Sequence, residues 1–202
     1  SCDKFTPSSK AKGVNVQTSR DTKPNKLYYK GEPLPLTDRG ISLETVKKFR
    51  VKVDDYGNYV YPLFDSAGEI VASKVRVKGK KDFKFTGDKK SATMFGMNLF
   101  GTGGKYLTIV EGQDDALAGF EMLDSKWPVI SVNSASEAPR NIKDNLDYVE
   151  AFDNVVFIFD SDDVGRKSAE KCAELLSPGK AKIVTLSHYK DANDYLKSGN
   201  TS

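Results

Sequence analysis

Two apolar segments that each end in acidic residues constrain the fold of this chain most strongly. Residues 107–110 are mostly apolar and rich in β-branched side chains, which predicts a buried strand, and Glu111 follows them directly. Residues 155–159 form a second apolar run, with Asp160 and Asp162 at its end. Ligands and catalytic groups collect at the carboxyl ends of the strands in an open α/β sheet. We therefore predict that these three carboxylates converge at one edge of a parallel sheet.

Grouped carboxylates of this kind indicate a metal site. They are hard oxygen ligands, the type that Mg²⁺ takes while it keeps waters and substrate phosphates as its other ligands. Taken alone, Glu111 or the pair Asp160 and Asp162 is also compatible with the solvated start of a loop. Together, and each at the end of an apolar strand, they favour the metal site.

Strands and helices are predicted to alternate from residue 105 onward. Alternation at this spacing implies right-handed crossovers and a mostly parallel sheet. The predicted strands are 107–110, 128–132, 155–159 and 182–186, and the predicted helices are 113–124, 137–151, 164–176 and 192–198.

Residues 27–104 follow a different pattern, which predicts a small basic domain built on antiparallel strands. The predicted strands are 27–29, 49–53, 59–64 and 70–77, and a short helix begins after Ser42 as its N-cap. The last strand places Lys74, Arg76 and Lys78 on one face, where their mutual repulsion favours a bound anion. A solvated edge strand protected by lysines is the alternative explanation.

Charge is divided along the chain in the same way. Residues 1–105 contain 21 Lys and Arg against 11 Asp and Glu, whereas residues 106–202 contain 10 against 17. An acidic half that holds cations and a basic half that faces phosphates would explain this division. A solvated surface with chance asymmetry is the alternative.

The acidic motifs resemble the TOPRIM pair of bacterial-type primases, topoisomerases and some nucleases, since they read Glu111-Gly112-x-x-Asp115 and Asp160-x-Asp162-x-x-Gly165-Arg166. More closely, residues 36–196 resemble the primase part of the bifunctional primase-helicases of short-tailed, T7-like phages. The matching stretches are 36–42, 74–76 with Lys84, 95–96 and 190–193. One extra residue between Arg76 and Lys84 departs from the spacing of that family.

This resemblance implies an α/β fold in three parts. Residues 1–26 would be a linker after an upstream zinc ribbon, residues 27–104 an α+β basic subdomain, and residues 105–202 a TOPRIM-type subdomain with a parallel sheet. Cys2 would then be a Zn²⁺ ligand that is separated from the other ligands of its site, and Zn²⁺ would be held only in that missing upstream module. An ordinary exposed cysteine, or a residue left by cloning, explains Cys2 equally well.

The function that the resemblance implies is that of a DNA primase, which makes short RNA primers from ribonucleoside triphosphates on single-stranded DNA. The implied catalytic residues are Glu111, Asp160, Asp162, Lys74 and Lys84, and the implied ligands of Mg²⁺ or Mn²⁺ are Glu111, Asp160, Asp162, Asp191 and Asp115. The nucleotide would bind Lys74, Arg76, Lys78, Lys84 and Arg166, and the DNA would bind Arg39, Lys47 and Lys48. On its residues alone, Asp191 is also compatible with a plain helix N-cap.

The implied partners are the zinc ribbon and helicase domain of a parent chain, the helicase lying beyond Ser202, and a replicative DNA polymerase. Cys2 and Cys172 are too few and too distant for a disulfide framework, and no apolar run reaches the roughly 18 residues of a membrane span. A cytoplasmic protein is therefore expected, in the host cytoplasm for a phage protein. Two other functions stay open, a TOPRIM nuclease and a catalytically silent domain of a replicative helicase that binds single-stranded DNA.

Overall fold

The computed structural model describes residues 25–80, 82–186 and 188–199. The predicted linker up to residue 24, including Cys2 and the suggested zinc-ribbon tail, lies outside these residues. Within them, no helix is long and apolar enough to cross a membrane.

The first half of the described chain forms an antiparallel sheet. Its strands lie in the order β1 (Lys52–Val53), β2 (Tyr59–Phe64), β3 (Ile70–Arg76) and β4 (Phe83–Gly87). A short 3-10 turn (Thr37–Arg39) and helix α1 (Leu43–Lys48) precede the sheet. The predicted cap of α1 is confirmed, because Oγ of Ser42 accepts a hydrogen bond of 3.2 Å from the backbone N–H of Thr45.

Two predicted strands of this half are wrong or too long. Residues 27–29 form no strand, and the segment is attached instead through side chains: the N–H of Tyr28 donates to Oγ1 of Thr86 (2.9 Å). The strand predicted for 49–53 begins only at Lys52, because α1 is capped by Phe49 and Arg50 has a left-handed backbone with φ of 56°.

The second half forms a parallel sheet with helices on both faces. The elements are β5 (Gly104–Val110), α2 (Gln113–Met122), β6 (Val129–Ser131), α3 (Ala138–Asp144), α4 (Leu146–Glu150), β7 (Phe152–Ile158), α5 (Asp163–Ala173), β8 (Ala181–Ile183) and α6 (Ala192–Lys197). The strand order is β6-β5-β7-β8, and all three pairings are parallel, as predicted.

The helix predicted for 137–151 is interrupted, and the reason lies at Asn145. Its side-chain amide donates to the carbonyl of Asn141 at 2.9 Å, in competition with the backbone N–H that a continuous helix would use there. The backbone N–H of Asn145 bonds instead to the carbonyl of Ile142. The chain therefore ends α3 and begins α4 at this residue.

One hydrophobic core belongs to both halves. It joins buried side chains of the first half, such as Phe49 and Tyr61, to Leu117 and Phe120 of α2. The rings of Phe49 and Phe120 pack edge to face with their centroids 5.2 Å apart. Because a fully buried large apolar side chain contributes about 1.5–3 kcal/mol, this shared core holds the two halves in one orientation. A second core cluster fills the opposite face of the parallel sheet, beneath α3, α4 and α5.

Candidate active site

The carboxyl ends of β5 and β7 bring acidic side chains together, as strand-end chemistry predicts. Glu111 follows β5, Asp160 follows β7, and both line a cavity of about 540 Å³ together with Asp115 of α2 and Asp191 before α6. We call these four residues the acidic edge. They come from four separate segments, which the parallel sheet and its connections place at one end of the fold.

Glu111 brings an unpartnered carboxylate oxygen to the acidic edge. Its Oε2 atom is buried and accepts no hydrogen bond from the described residues. Burial and the neighbouring charge of Asp160 raise the pKa of the Glu111 carboxyl above its usual range. An unpartnered buried carboxylate oxygen is costly, and a bound cation would remove that cost.

Asp115 and Asp191 both accept hydrogen bonds from the first turn of α6. Oδ1 of Asp115 accepts a hydrogen bond from the backbone N–H of Asn193 (3.1 Å), and burial together with the charge of Asp191 raises the pKa of Asp115 well above its usual range. Oδ1 of Asp191 caps α6 by accepting from the N–H of Asp194 at 2.8 Å. The structure thus makes Asp191 an N-cap that also lines the cavity.

Lys190 lies between two of these acids. Its ammonium is 2.7 Å from Oδ2 of Asp160 and 3.1 Å from Oδ2 of Asp191, and 64% of its side chain is exposed. Burial lowers the pKa of Lys190, but the hydrogen bonds to Asp160 and Asp191 and the charges of these carboxylates outweigh burial and raise the pKa above its usual range. A protein cation therefore occupies the space that two acidic side chains share.

Asp162 has a local role that the sequence did not reveal. It is the N-cap of α5, and its Oδ1 accepts a hydrogen bond of 2.8 Å from the N–H of Gly165. A Cβ on Gly165 would lie 2.2 Å from the backbone oxygen of Asp160, so only glycine fits there. The motif thus holds the turn that carries Asp160, while Asp162 itself is exposed and does not line the cavity.

The donor set fits a magnesium ion. Among the residues that the structure describes, no three His, Cys, Asp or Glu side chains form a complete ligand group. Mg²⁺ is usually bound through one or two carboxylates, with waters and substrate phosphates as the other ligands. Glu111, with its unpartnered oxygen, and Asp160 supply that number of carboxylates.

The opposite side of the cavity is basic. Lys74 and Arg76 project from β3, and Arg39 projects from the turn before α1. We call these three residues the basic wall. Lys74 is 6% exposed, donates a hydrogen bond of 3.0 Å to the backbone oxygen of Asn133, and lies 4.4 Å from the centre of the Phe83 ring. Burial lowers the pKa of Lys74 to about 8.

Asp114 of α2 anchors the basic wall, and it was not among the predicted site residues. Its Oδ2 atom is 2.9 Å from a guanidinium nitrogen of Arg76 and 3.5 Å from Nε of Arg39. Its Oδ1 accepts a short hydrogen bond from the Tyr61 hydroxyl. Arg39 is held further by Asn193, whose side-chain amide donates to the Arg39 carbonyl at 2.8 Å.

Two predicted nucleotide contacts lie away from the cavity. Lys84 pairs with Val75 in the β3–β4 ladder, so its side chain is on the face opposite Lys74. Arg166 bonds to the start of its own helix, where it donates to the carbonyl of Ser161 and pairs with Asp163.

The remaining predicted contacts lie at or beyond the rim. Lys78 lines a smaller cavity of about 290 Å³, which shares Arg39 and Arg76 with the larger one. Lys47 and Lys48 are exposed on α1 and line neither cavity.

Comparison with known proteins identifies this arrangement. A family model described as Toprim-like matches residues 108–196, the segment that holds the acidic edge. The DNA helicase/primase of Enterobacteria phage T3 is 36% identical over 206 residues, which cover 96% of this chain and 36% of the relative. The crystal structure of the primase fragment of the bacteriophage T7 primase-helicase protein superposes with a TM-score of 0.81 at 36% identity, covering 88% of this chain and 77% of that one.

The chain belongs to the phage primase-helicase family. A second solved structure supports the assignment. It contains the bacteriophage T7 lagging-strand DNA polymerase interacting with primase domains bound to an RNA/DNA hybrid and dTTP. That structure matches with a TM-score of 0.74 and 38% identity over 84% of this chain and 87% of that one. The predicted resemblance and the α/β fold are thereby confirmed. The chain spans 36% of the length of its T3 relative.

Proposed function

We propose that this chain is a DNA primase that makes short RNA primers on single-stranded DNA with a divalent cation. The proposal rests on one observation: the acidic edge and the basic wall lie on opposite sides of the same cavity. Nucleotidyl transfer needs a cation at the reacting oxygens and positive charge along the triphosphate, and the two sides supply these separately.

The acidic edge holds Mg²⁺ or Mn²⁺ through Glu111 and Asp160. The bound ion supplies activation of the attacking hydroxyl and neutralisation of triphosphate charge. Asp191 caps α6 through Oδ1 and pairs with Lys190 through Oδ2, while Asp115 ties α2 to α6 through Asn193. Asp162 contributes by shaping the turn that aims Asp160.

The basic wall binds the phosphates of the incoming nucleotide. Lys74 is fixed by the carbonyl of Asn133 and by the Phe83 ring, so its ammonium needs little reorganisation when an oxyanion arrives. Since the pKa of Lys74 is about 8, most of this group is charged at pH 7. Arg76 and Arg39 offer planar guanidinium groups that match phosphate oxygens.

The template runs along the basic half and is held mainly by phosphate contacts that weaken with salt. Arg39, Lys47 and Lys48 are the contacts proposed for it, while Lys78, which lines the smaller cavity, stays a proposed contact of the nucleotide. The proposed partners are a zinc ribbon and a helicase domain in the parent chain, and a replicative DNA polymerase. The proposed location is the cytoplasm of a phage host.

Primer synthesis tests this function directly. The chain is incubated with labelled ribonucleotides, assorted single-stranded DNA templates and Mg²⁺ or Mn²⁺, beside the variants Asp160→Ala and Asp153→Ala. Asp153 is exposed at the opposite end of the same strand and serves as the matched control. Short oligoribonucleotides that disappear only with Asp160→Ala are expected. Cleavage of the template without synthesis would contradict the proposal and indicate a nuclease.

A further inference from the structure

Asp114 connects the two halves of the molecule at the cavity. It is the second residue of α2, it is 7% exposed, and its carboxylate is directed at three side chains of the first half. These are the Tyr61 hydroxyl, Arg76 at 2.9 Å and Arg39 at 3.5 Å. An acid of the second half thus organises cations that belong to the first.

The two arginines keep binding capacity after they have contacted Asp114. A guanidinium carries five N–H donors, and the contact with Asp114 uses one nitrogen of each group. Nη1 of Arg39 also donates to Oδ1 of Asn193 at 3.4 Å. Both arginines line the larger cavity and also the smaller one, so the donors beyond these contacts are available to a ligand on either side. Nε of Arg39 is buried and makes charge contacts with Asp114 (3.5 Å) and Asp38 (3.7 Å), neither with hydrogen-bond geometry.

We propose that Asp114 is a positioning residue, which fixes Arg39 and Arg76 in the orientation that the triphosphate of the nucleotide requires. This inference rests on the proposed primase function. Asp114 also offsets part of the positive charge of the two arginines, so it weakens the binding of a free anion. At the same time it aligns the two guanidinium groups that act on the triphosphate of the reacting nucleotide. Such a residue lowers ground-state affinity and raises the rate of the chemical step.

Two substitutions separate charge from position. Asp114→Asn keeps nearly the same shape and an acceptor for Tyr61, but it removes the negative charge. We expect it to bind inorganic tripolyphosphate about three- to tenfold more tightly at low salt, with a steeper salt dependence, because a like charge no longer opposes the anion. We expect kcat for primer synthesis to fall about tenfold or more, because the guanidinium groups lose their fixed alignment.

Asp114→Glu keeps the charge and moves it by one methylene. We expect the tripolyphosphate affinity to stay within about twofold of the original protein while kcat falls, since only the position has changed. This variant keeps the proposal testable where removal of a buried charge unfolds the protein.

Tyr61→Phe is the matched control, because it removes one donor to Asp114 and leaves both arginine contacts in place. Calorimetry with tripolyphosphate, steady-state kinetics and thermal unfolding are measured for all three variants. The inference is overturned if Asp114→Asn lowers thermal stability but leaves tripolyphosphate affinity unchanged, or if Asp114→Glu retains full kcat. Failure of the original protein to make primers would instead overturn the proposed function, while the tripolyphosphate titration still reports on Asp114.

Discussion

The acidic edge and the basic wall are each contacted by one residue of opposite charge, Lys190 and Asp114, and these two residues differ in burial. Lys190 lies among the acids with 64% of its side chain exposed. Asp114 lies among the arginines and is nearly buried, where it accepts hydrogen bonds from Arg76 and Tyr61 and makes a charge contact with Arg39. Each side of the cavity is therefore partly neutralised from within.

Because of this difference in burial, Lys190 is a counter-charge that can be exchanged, whereas Asp114 is a permanent one. The ammonium of Lys190 is open to solvent, although its partners Asp160 and Asp191 are only 16% and 18% exposed. Water can replace the carboxylates around this ammonium, so Lys190 can leave when a metal ion arrives. Removing one partner of a buried pair costs about 3–5 kcal/mol, so Asp114 stays where it is. The acidic edge is suited to exchange its counter-ion for a cation, and the basic wall is suited to keep a fixed shape.

The largest effect is expected at Lys74, the most deeply buried cation of the basic wall. Lys74→Met should lower kcat/KM for primer synthesis about 100-fold or more, because a preorganised charge is lost from the site of triphosphate binding. Steady-state kinetics at pH 7 measure this. A loss of less than about fivefold would show that the basic wall does not act on the nucleotide.

The same substitution should stabilise the fold. The pKa of Lys74 is lowered from 10.5 to about 8 in the folded protein, so the cost of burying its charge is fully present below pH 8 and disappears as the pH rises toward 10.5. Lys74→Met should therefore raise the free energy of unfolding at pH 7 by about 2–3 kcal/mol, because each unit of the lowered pKa corresponds to about 1.4 kcal/mol and the lost hydrogen bond to Asn133 offsets about 1 kcal/mol. Urea unfolding at pH 7 and pH 9.5 should show the gain shrinking at the higher pH. A destabilised variant at pH 7 would contradict this.

Activity should follow the charge of Lys74 with pH. Because the free protein loses the Lys74 proton near pH 8, kcat/KM should decline as the pH rises through that value. Lys74→Arg retains its charge at higher pH, so in that variant the decline should move upward or vanish. The measurement is the pH dependence of kcat/KM for the original protein and for Lys74→Arg. An unchanged decline in Lys74→Arg would assign it to another group.

On the acidic edge, a smaller effect of opposite sign is expected. Lys190→Met should bind Mn²⁺ about three- to tenfold more tightly, because the ion no longer competes with an ammonium for Asp160 and Asp191. Electron paramagnetic resonance of free Mn²⁺ measures the affinity, with Lys182→Met, at an exposed position of β8, as the control. Equal affinity in both variants would mean that Lys190 is no counter-ion for the acids.

The smallest effect is expected at Lys84. Its side chain is on the face of the sheet opposite Lys74, although the resemblance assigns it a catalytic role. Lys84→Ala should change kcat/KM by less than about twofold if it acts only as a solvated surface charge. A loss comparable with that of Lys74→Met would show that β4 takes another register when nucleotide is bound.

The acids at the strand ends were predictable because a strand is a local pattern and its last residue fixes where the following side chain lies. Glu111 and Asp160 followed from that rule, and the parallel order followed from the alternation of elements. Asp114 was not predictable, because its partners Arg76 and Tyr61 lie 38 and 53 positions away in the sequence. Nothing local distinguishes it from a solvated acid in the first turn of a helix.

The face of β4 was also beyond local reasoning. Adding or removing one residue in the β3–β4 turn moves every side chain of β4 to the other face. This chain has one residue more than the family spacing between Arg76 and Lys84. The resemblance therefore could not decide on which face of the sheet Lys84 lies. The ladder decides it by pairing Lys84 with Val75.

The most direct test of whether the two sides hold one nucleotide together is a calorimetric titration. A non-hydrolysable ribonucleoside triphosphate is titrated into the protein with and without Mg²⁺, and into Asp160→Ala under the same conditions. Mg²⁺ should strengthen binding at least about tenfold in the original protein and have little effect in Asp160→Ala, since that carboxylate connects the ion to the chain. Equal affinity with and without Mg²⁺, or a magnesium effect that survives Asp160→Ala, would contradict a shared site.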